Sequence, residues 1–379
     1  MTTAVPVERP LWGDPRDWDN PPPLRGDVHA DVCVIGLGGS GLAAVQALLD
    51  AGASVVGLDA GPVGGGAAGR NGGFLLAGAS RFHHDAVAAW GRERAVALYH
   101  ETLAELDRLE AELGPEIVRR VGSLRTPADA DEAADCARQR EAMARDGLAV
   151  AAVDGGVLVP TDGAVDPLAR CRALATRALG RGARLFADSP ALEVAGDGVR
   201  TPEGAVACGA VLVAVDGGLE RLLPELAGRV RSTRLQMLGT APVAASIAPR
   251  PVYHRHGYDY WQQLPDGRLA LGGGRDRHLE EEWDAPAEPS EAVQRELDVL
   301  LREHLGVCEP VTHRWAGIVA YTDDGLPILE EVRPGVIVTG ALNGHGNVLG
   351  SAAARAAAEI ALGRPAPLLA RLLRPKEWS

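Results

Sequence analysis

Lysine is almost absent: a single residue, Lys376, stands among 38 basic side chains in 379 residues, and the rest are arginine. A phosphate loop ending in Gly-Lys-Ser/Thr is therefore excluded, and so is an internal Schiff-base lysine. Arginine in lysine's place, with abundant alanine and glycine, is the mark of GC-rich coding. Positive charge is also outweighed, at a net −13, which argues against a nucleic-acid or anionic-membrane partner. Cysteine is sparse, at positions 33, 136, 171, 208 and 308. No two are close enough for a zinc knuckle or CxxC, so no metal site is expected. An odd, scattered set reads as reduced thiols in a cytoplasmic protein. No apolar run approaches about 18 residues without a charge or a turn signal, so no membrane span is expected. The N-terminus lacks the apolar segment of a signal peptide. Residues 1–27, with Trp12 and Pro21-Pro22-Pro23, read as an extended arm. No Gly-x-Ser-x-Gly elbow supports hydrolase chemistry.

Glycine is abundant, and its placement is informative. Asp31-Val32-Cys33-Val34-Ile35 is a short apolar run suited to a buried parallel strand. Gly36-Leu37-Gly38-Gly39-Ser40-Gly41 follows at once, then an Ala/Leu helix over 42–50. A second strand over 54–58 ends at Asp59. Strand, glycine turn, helix, strand and acid make one dinucleotide-binding βαβ unit. Gly36 permits the tight turn, Gly38 lets a pyrophosphate approach, and Gly41 lets helix and strand pack closely. The helix N-terminus offers free N–H groups to phosphate, and Asp59 accepts from a ribose.

Further on, the pattern predicts an amphipathic helix over 85–113 and a polar helix over 130–146. Another helix is expected from Pro167 to 179 with Asp166 as its cap. Strands are expected over 183–186, 192–194 and 211–215, with a hairpin turn at 196–198. His83-His84 reads as loop. Residues 254–261 read as one β stretch, so His254 and His256 share a face, and so do Tyr258 and Tyr260. These two tyrosines suit either sheet packing or a cation–π cage for an amine. A strand over 336–340 leads through Gly344-His345-Gly346 into a helix over 347–362. The fold class is α/β. A Rossmann-like nucleotide domain is expected from 28–84, 160–227 and 320–379. An inserted α+β substrate domain with a mixed or antiparallel sheet is expected from 85–159 and 228–319.

The glycine fingerprint, Arg70-Asn71-Gly72-Gly73, the Val165-Asp166-Pro167 helix start, Thr322-Asp323-Asp324-Gly325-Leu326-Pro327 and Gly344-His345-Gly346 resemble the D-amino-acid oxidase/sarcosine oxidase superfamily. Arg70-Asn71-Gly72-Gly73 and the Trp12 arm are most similar to its γ-glutamylputrescine-oxidoreductase-like branch. The resemblance implies bound FAD and oxidation of an amine by hydride transfer, giving an imine that hydrolyses. It places Gly36, Gly38, Gly39, Ser40, Gly41, Asp59, Ala60, Gly61, Arg70, Asn71, Gly72, Gly73, Ala191, Ala214, Gly344, His345, Gly346, Asn347 and Val348 against FAD. Candidate catalytic residues are Tyr258, Tyr260, Arg275 and His345. The electron acceptor is O₂ or another molecule.

Departures from the family pattern sharpen this. Ala320 stands where sarcosine oxidases attach the flavin through Cys, so non-covalent FAD is expected. Val348 and Val319 stand where relatives hold a substrate carboxylate with Lys or Arg. A desolvated carboxylate needs a charged partner, so an amine is favoured over a simple α-amino acid unless Arg70 or Arg275 replaces the clamp. Arg275 also falls near the oxygen-activating lysine of relatives, and arginine is a poor proton donor. A D-amino-acid or imino-acid dehydrogenase, a flavin protein without turnover, and a nicotinamide-dependent reductase are the alternatives.

Overall fold

The computed structural model describes residues 8–153 and 156–374; Lys376, the start of the arm (1–7) and the chain's last residues lie outside them. Five parallel strands form the heart of the first sheet. Val28–Ile35 lies between Val55–Leu58 and Ala205–Val213, with Arg184–Phe186 and Val336–Gly340 outside them. Numbered along the chain, their spatial order is 3-2-1-4-5, with the reversal between Val28–Ile35 and Ala205–Val213. In such sheets ligands bind at that reversal, beyond the carboxyl ends of the strands. Both strands are apolar at their carboxyl ends, as burial on two faces demands. Helices Gly39–Asp50, Pro167–Gly180 and Ser351–Ala361 supply one covering face, through Leu42, Leu48, Leu174, Cys171, Ala353 and Ala357. Antiparallel strands Glu193–Ala195, Gly198–Arg200 and Ile328–Arg333 complete this sheet.

The second sheet also has eight strands and is antiparallel apart from one parallel pair, Val252–His254 with Ser123–Thr126. Its longest pairing joins Arg231–Thr240 to Val311–Tyr321. Arg234 donates to both Glu282 oxygens at 2.8 and 2.6 Å, and Gln236 Nε2 lies 3.0 Å from each of them. That buried charge is therefore paired and hydrogen-bonded, as burial requires. A three-stranded sheet links Phe74–Leu75, Gly163–Val165 and Val118–Arg119.

Several local expectations hold. Asp166 accepts from the N–H groups of Leu168 and Ala169, and Pro167 opens the helix. Others are corrected. The helix expected over 85–113 is two, His83–Trp90 and Arg92–Leu113, because Gly91 takes φ 83 between them. His83-His84 therefore starts a helix rather than forming a loop, and buried His83 Nε2 lies 2.6 Å from Asp146. The stretch 254–261 is a hairpin, not one strand. Arg255 and His256 adopt left-handed backbone, φ 50 and 54, between Val252–His254 and Asp259–Gln263. The Arg255 guanidinium holds this turn by ion pairs to Asp259 and Asp276 at 2.6 and 2.9 Å. His254 is consequently buried while His256 is exposed, so they share no face.

Candidate active site

Two glycine segments and the closing turn of the chain converge at the reversal of the parallel sheet. Gly36 takes φ 103, and a Cβ there would lie 2.5 Å from the Ala214 carbonyl oxygen. A Cβ on Gly41 would lie 1.8 Å from the Gly36 carbonyl oxygen. No side chain caps Gly39–Asp50, so its first-turn N–H groups remain available to an anion. Gly61 and Gly66 have no neighbour within 4 Å of a Cβ position, so backbone is bare there.

Asp59 ends the second strand. Its Oδ2 accepts from Leu37 N–H at 2.7 Å and its Oδ1 from Gly61 N–H at 2.9 Å. Burial nevertheless pushes its carboxyl up to about 6. Arg70-Asn71-Gly72-Gly73 is fastened at both flanks. Trp12 Nε1 donates to Asn71 O at 2.9 Å and Trp315 Nε1 to Arg70 O at 2.7 Å. The Asn71 and Asn347 side chains bond each other, at 2.9 Å for Asn347 Nδ2 to Asn71 Oδ1. The two ends of the chain are thereby locked into one wall. Arg70 is no free clamp: its Nε donates to Gly65 O at 2.8 Å and its Nη1 to Ala316 O at 3.1 Å.

A cleft of about 910 Å³ joins these loops to the second sheet. Of the residues singled out from sequence, it is lined by Gly36, Gly38, Gly39, Ser40, Asp59, Ala60, Arg70, Asn71, Gly72, Ala191, Ala214, Tyr258, Tyr260, Arg275, Gly344, His345, Gly346, Asn347 and Val348. Gly41, Gly61 and Gly73 stand back from it. Gly41 packs on Gly36, Gly61 donates to Asp59, and a Cβ on Gly73 would lie 2.2 Å from Val165 O.

The aromatic wall differs from the expected pair. Tyr258 precedes the strand and is 43% exposed. Tyr260 instead faces Tyr253 across the hairpin, as its register partner, with ring centroids 6.1 Å apart at 87°. Phe74 lies 5.1 Å from Tyr253 and 5.9 Å from Tyr260. Burial raises both phenols, Tyr253 to about 12. His345 lies 6.4 Å from Tyr253, and its Nδ1 is 3.2 Å from Asn343 O. A carbonyl only accepts, so Nδ1 carries the proton and Nε2 the lone pair. Burial drives this imidazole down to about 4, so it is neutral at neutral pH. Arg275 donates to Thr233 Oγ1 at 3.1 Å and lies over Trp283 and Tyr321 at 5.1 and 4.9 Å. No ion pair to it occurs among the described residues.

Sequence reasoning missed four charged groups here. Asp216 accepts from Leu342 N–H and Ala320 N–H, at 2.8 and 3.1 Å, and burial raises it to about 6. Arg170 is buried under the first helix turn. It donates to Asn347 Oδ1 at 3.1 Å and Ser351 Oγ at 2.5 Å, and its Nε has no partner. Its guanidinium carbon lies 3.2 Å from a Cβ position on Gly39, so it adds positive charge beneath the anion-facing turn. Arg125 lines the cleft by its aromatic wall, while Asp162 stands outside the lining. None has a sequence signal beyond its residue type.

An uncapped helix N-terminus, bare glycine backbone, an acid at the second strand's end and a buried cation beneath the turn fit an extended dinucleotide. The sequence matches the FAD dependent oxidoreductase family over residues 31–360. The chain belongs to that family. Probable oxidoreductase OrdL of Rhizobium meliloti is 27% identical over 391 residues, covering 92% of this chain and 86% of that protein. Gamma-glutamylputrescine oxidoreductase of Escherichia coli is 26% identical, covering 90% of this chain and 85% of its own length. Among solved structures, glycine oxidase from Geobacillus kaustophilus superposes with TM-score 0.72 at 20% identity, over 89% of this chain and 96% of that one. L-amino acid deaminase from Proteus vulgaris, crystallised without its specific insertion sequence, gives 0.75 at 18% identity, over 97% and 98%. The protein is thus an FAD-dependent oxidoreductase with the mixed α/β fold of these flavoenzymes, and no described helix is long and apolar enough to cross a membrane.

Proposed function

We propose that this oxidoreductase breaks a C–H bond beside the nitrogen of a small amine, using non-covalent FAD. The single observation that carries the reading is the continuity of the cleft from the glycine loops to the Tyr253–Tyr260 wall. A cofactor held along the loops and a substrate held at the rings share one continuous cleft. The relatives point the same way, since the E. coli protein is named for a putrescine derivative and the Geobacillus enzyme for glycine.

In this reading 28–84, 160–227 and 320–379 form the FAD domain, and 85–159 with 228–319 the substrate domain. The turn after the first strand and the first turn of Gly39–Asp50 hold the pyrophosphate, Asp59 the ribose, and residues 344–348 the ring end. Bound FAD supplies a two-electron acceptor for hydride. The chain's own residues do the positioning. The facing rings of Tyr253 and Tyr260 pack against the carbon chain of the neutral amine and exclude water, orienting its C–H bond. His345 presents a lone pair at Nε2 and no proton. Ala320 is fully buried and offers no thiol for covalent attachment. Loss of hydride and one proton leaves an imine, which water converts to a carbonyl compound and a free amine. When bound, the flavin would need an acceptor for these two electrons, O₂ or another molecule. Arg275, fixed between two rings, brings charge without a transferable proton, which favours the non-oxygen acceptor. Five unpaired cysteines support a cytoplasmic location, and the net charge supports the absence of a nucleic-acid partner.

Anaerobic mixing with a panel of amines and amino acids tests this. Amines should bleach the flavin. Bleaching by D-amino acids alone would move the assignment to the amino-acid dehydrogenase. Stable yellow colour with every compound would leave a flavin protein without turnover, and a colourless protein would sink the reading.

A further inference from the structure

The cleft contains a cation that none of the above uses. Arg125, on Ser123–Thr126, lies over Phe82 at 4.9 Å and Tyr253 at 5.7 Å. Its side chain makes no hydrogen bond or ion pair among the described residues, and its Nε is buried without a partner. Arg125 is half-buried and its Nε is shut off from solvent with no partner, an arrangement that costs free energy until a ligand entering the cleft pairs with it. The acid that its charge reaches, Asp162, stays beyond ion-pair distance. Asp162 oxygens are taken by Ala77 N–H at 3.0 Å and Ser123 Oγ at 2.6 Å. The charge also reaches His345 and Tyr253, which line the same cleft. Arg275 stacks on a different ring pair, Trp283 and Tyr321. The two cations therefore serve separate places along one wall. A planar guanidinium with its face covered by rings presents its N–H edge, which matches a carboxylate.

Building on the amine reading, we propose that Arg125 anchors a carboxylate carried by the amine substrate and so sets its specificity. This reverses the expectation, drawn from Val319 and Val348, of a cleft without a carboxylate clamp. The clamp comes from another strand, on the Phe82 side of Tyr253.

The test uses the flavin-loaded protein and two unreactive probes of one shape, hexanoate and hexanamide, with dissociation constants measured by calorimetry. The wild type should bind hexanoate at least about tenfold more tightly than hexanamide. Arg125→Met keeps the packing on Phe82 and Tyr253 and should bring the ratio to near unity. Arg125→Lys should restore part of it. Equal binding by the wild type would overturn the proposal. So would an unchanged ratio in Arg125→Met, or a ratio abolished only by Arg275→Met. Carboxylate preference governed by Arg125, with no amine bleaching the flavin, would keep the anion site and defeat the amine reading instead.

Discussion

Two glycines separate what the fold needs from what a cofactor needs. At Gly41 an added Cβ would sit 1.8 Å from the Gly36 carbonyl oxygen, and both are backbone. Van der Waals contact needs more than a further ångström, and no rotamer can supply it. The first helix must move off the first strand, where Leu42 and Val45 are fully buried. Overpacking commonly costs about 1–3 kcal/mol, and a backbone clash lies at or above the upper end. Unfolding entropy of about 2.1 cal/mol/K per residue gives about 0.8 kcal/mol per °C for 379 residues, so Gly41→Ala should lower the melting temperature of flavin-stripped protein by about 4 °C or more. Gly66 is the counterpart. It lines the cleft, has extended backbone, and offers open space to a Cβ. Gly66→Ala should leave the stripped protein unchanged and weaken only FAD retention, because the methyl occupies ligand space. Melting of stripped and loaded protein, with FAD titration, reads both variants. A Gly41→Ala apo-protein melting within 1 °C of the wild type (roughly 0.8 kcal/mol or less) would refute the packing argument. A Gly66→Ala protein that binds FAD normally would refute the placement of the cofactor along this loop.

Asp59→Ala should reduce FAD retention at least about tenfold, since the ribose acceptor and the brace on Leu37 and Gly61 are lost together; unchanged retention in a dilution assay would show that the ribose lies elsewhere. The rate of anaerobic flavin reduction should rise with pH between about 8 and 9.5, with a midpoint that follows the pKa of the amine supplied. One midpoint for amines of different basicity would assign the ionisation to the protein.

The parts legible in sequence are those whose constraint is local. Gly36 and Gly41 must be glycine for steric reasons within six residues of one another, so the turn announces itself. Asp166-Pro167 names a helix start by capping chemistry alone. The aromatic wall is different. Alternation over 254–261 presumed continuous extended backbone, and Arg255 and His256 break it with left-handed φ that no glycine signals. The cause is the ion pairing of Arg255 with Asp259 and with Asp276, the latter 21 residues away. The true partner of Tyr260 is Tyr253, across the turn. Arg125 and Arg170 were illegible for a related reason: in a chain whose basic residues are nearly all arginine, only tertiary contacts distinguish an unpaired guanidinium from a surface one. Asp162 and Asp216 likewise act through backbone donors, Ala77 and Leu342, at separations of 85 and 126 residues.

The scarcity of lysine acquires a physical meaning in the cleft. Among the described residues, the arginines that line the cleft carry a guanidinium, which keeps its charge and does not hand over a proton. His345 is neutral down to about pH 4 because burial disfavours its charged form. Asp59 and Asp216, raised to about 6 by burial, have ionised before pH 8. Burial holds the Tyr253 phenol protonated up to about 12. His256 and Tyr258 are exposed, on the turn at the edge of the wall. Between about pH 8 and 9.5 the buried part of the cleft is thus an electrostatic frame of fixed charge. A frame of that kind selects by geometry and sign, through Arg125, Arg275 and the facing rings. It leaves the one proton that matters, on the substrate nitrogen, to be lost to solvent before the amine is seated.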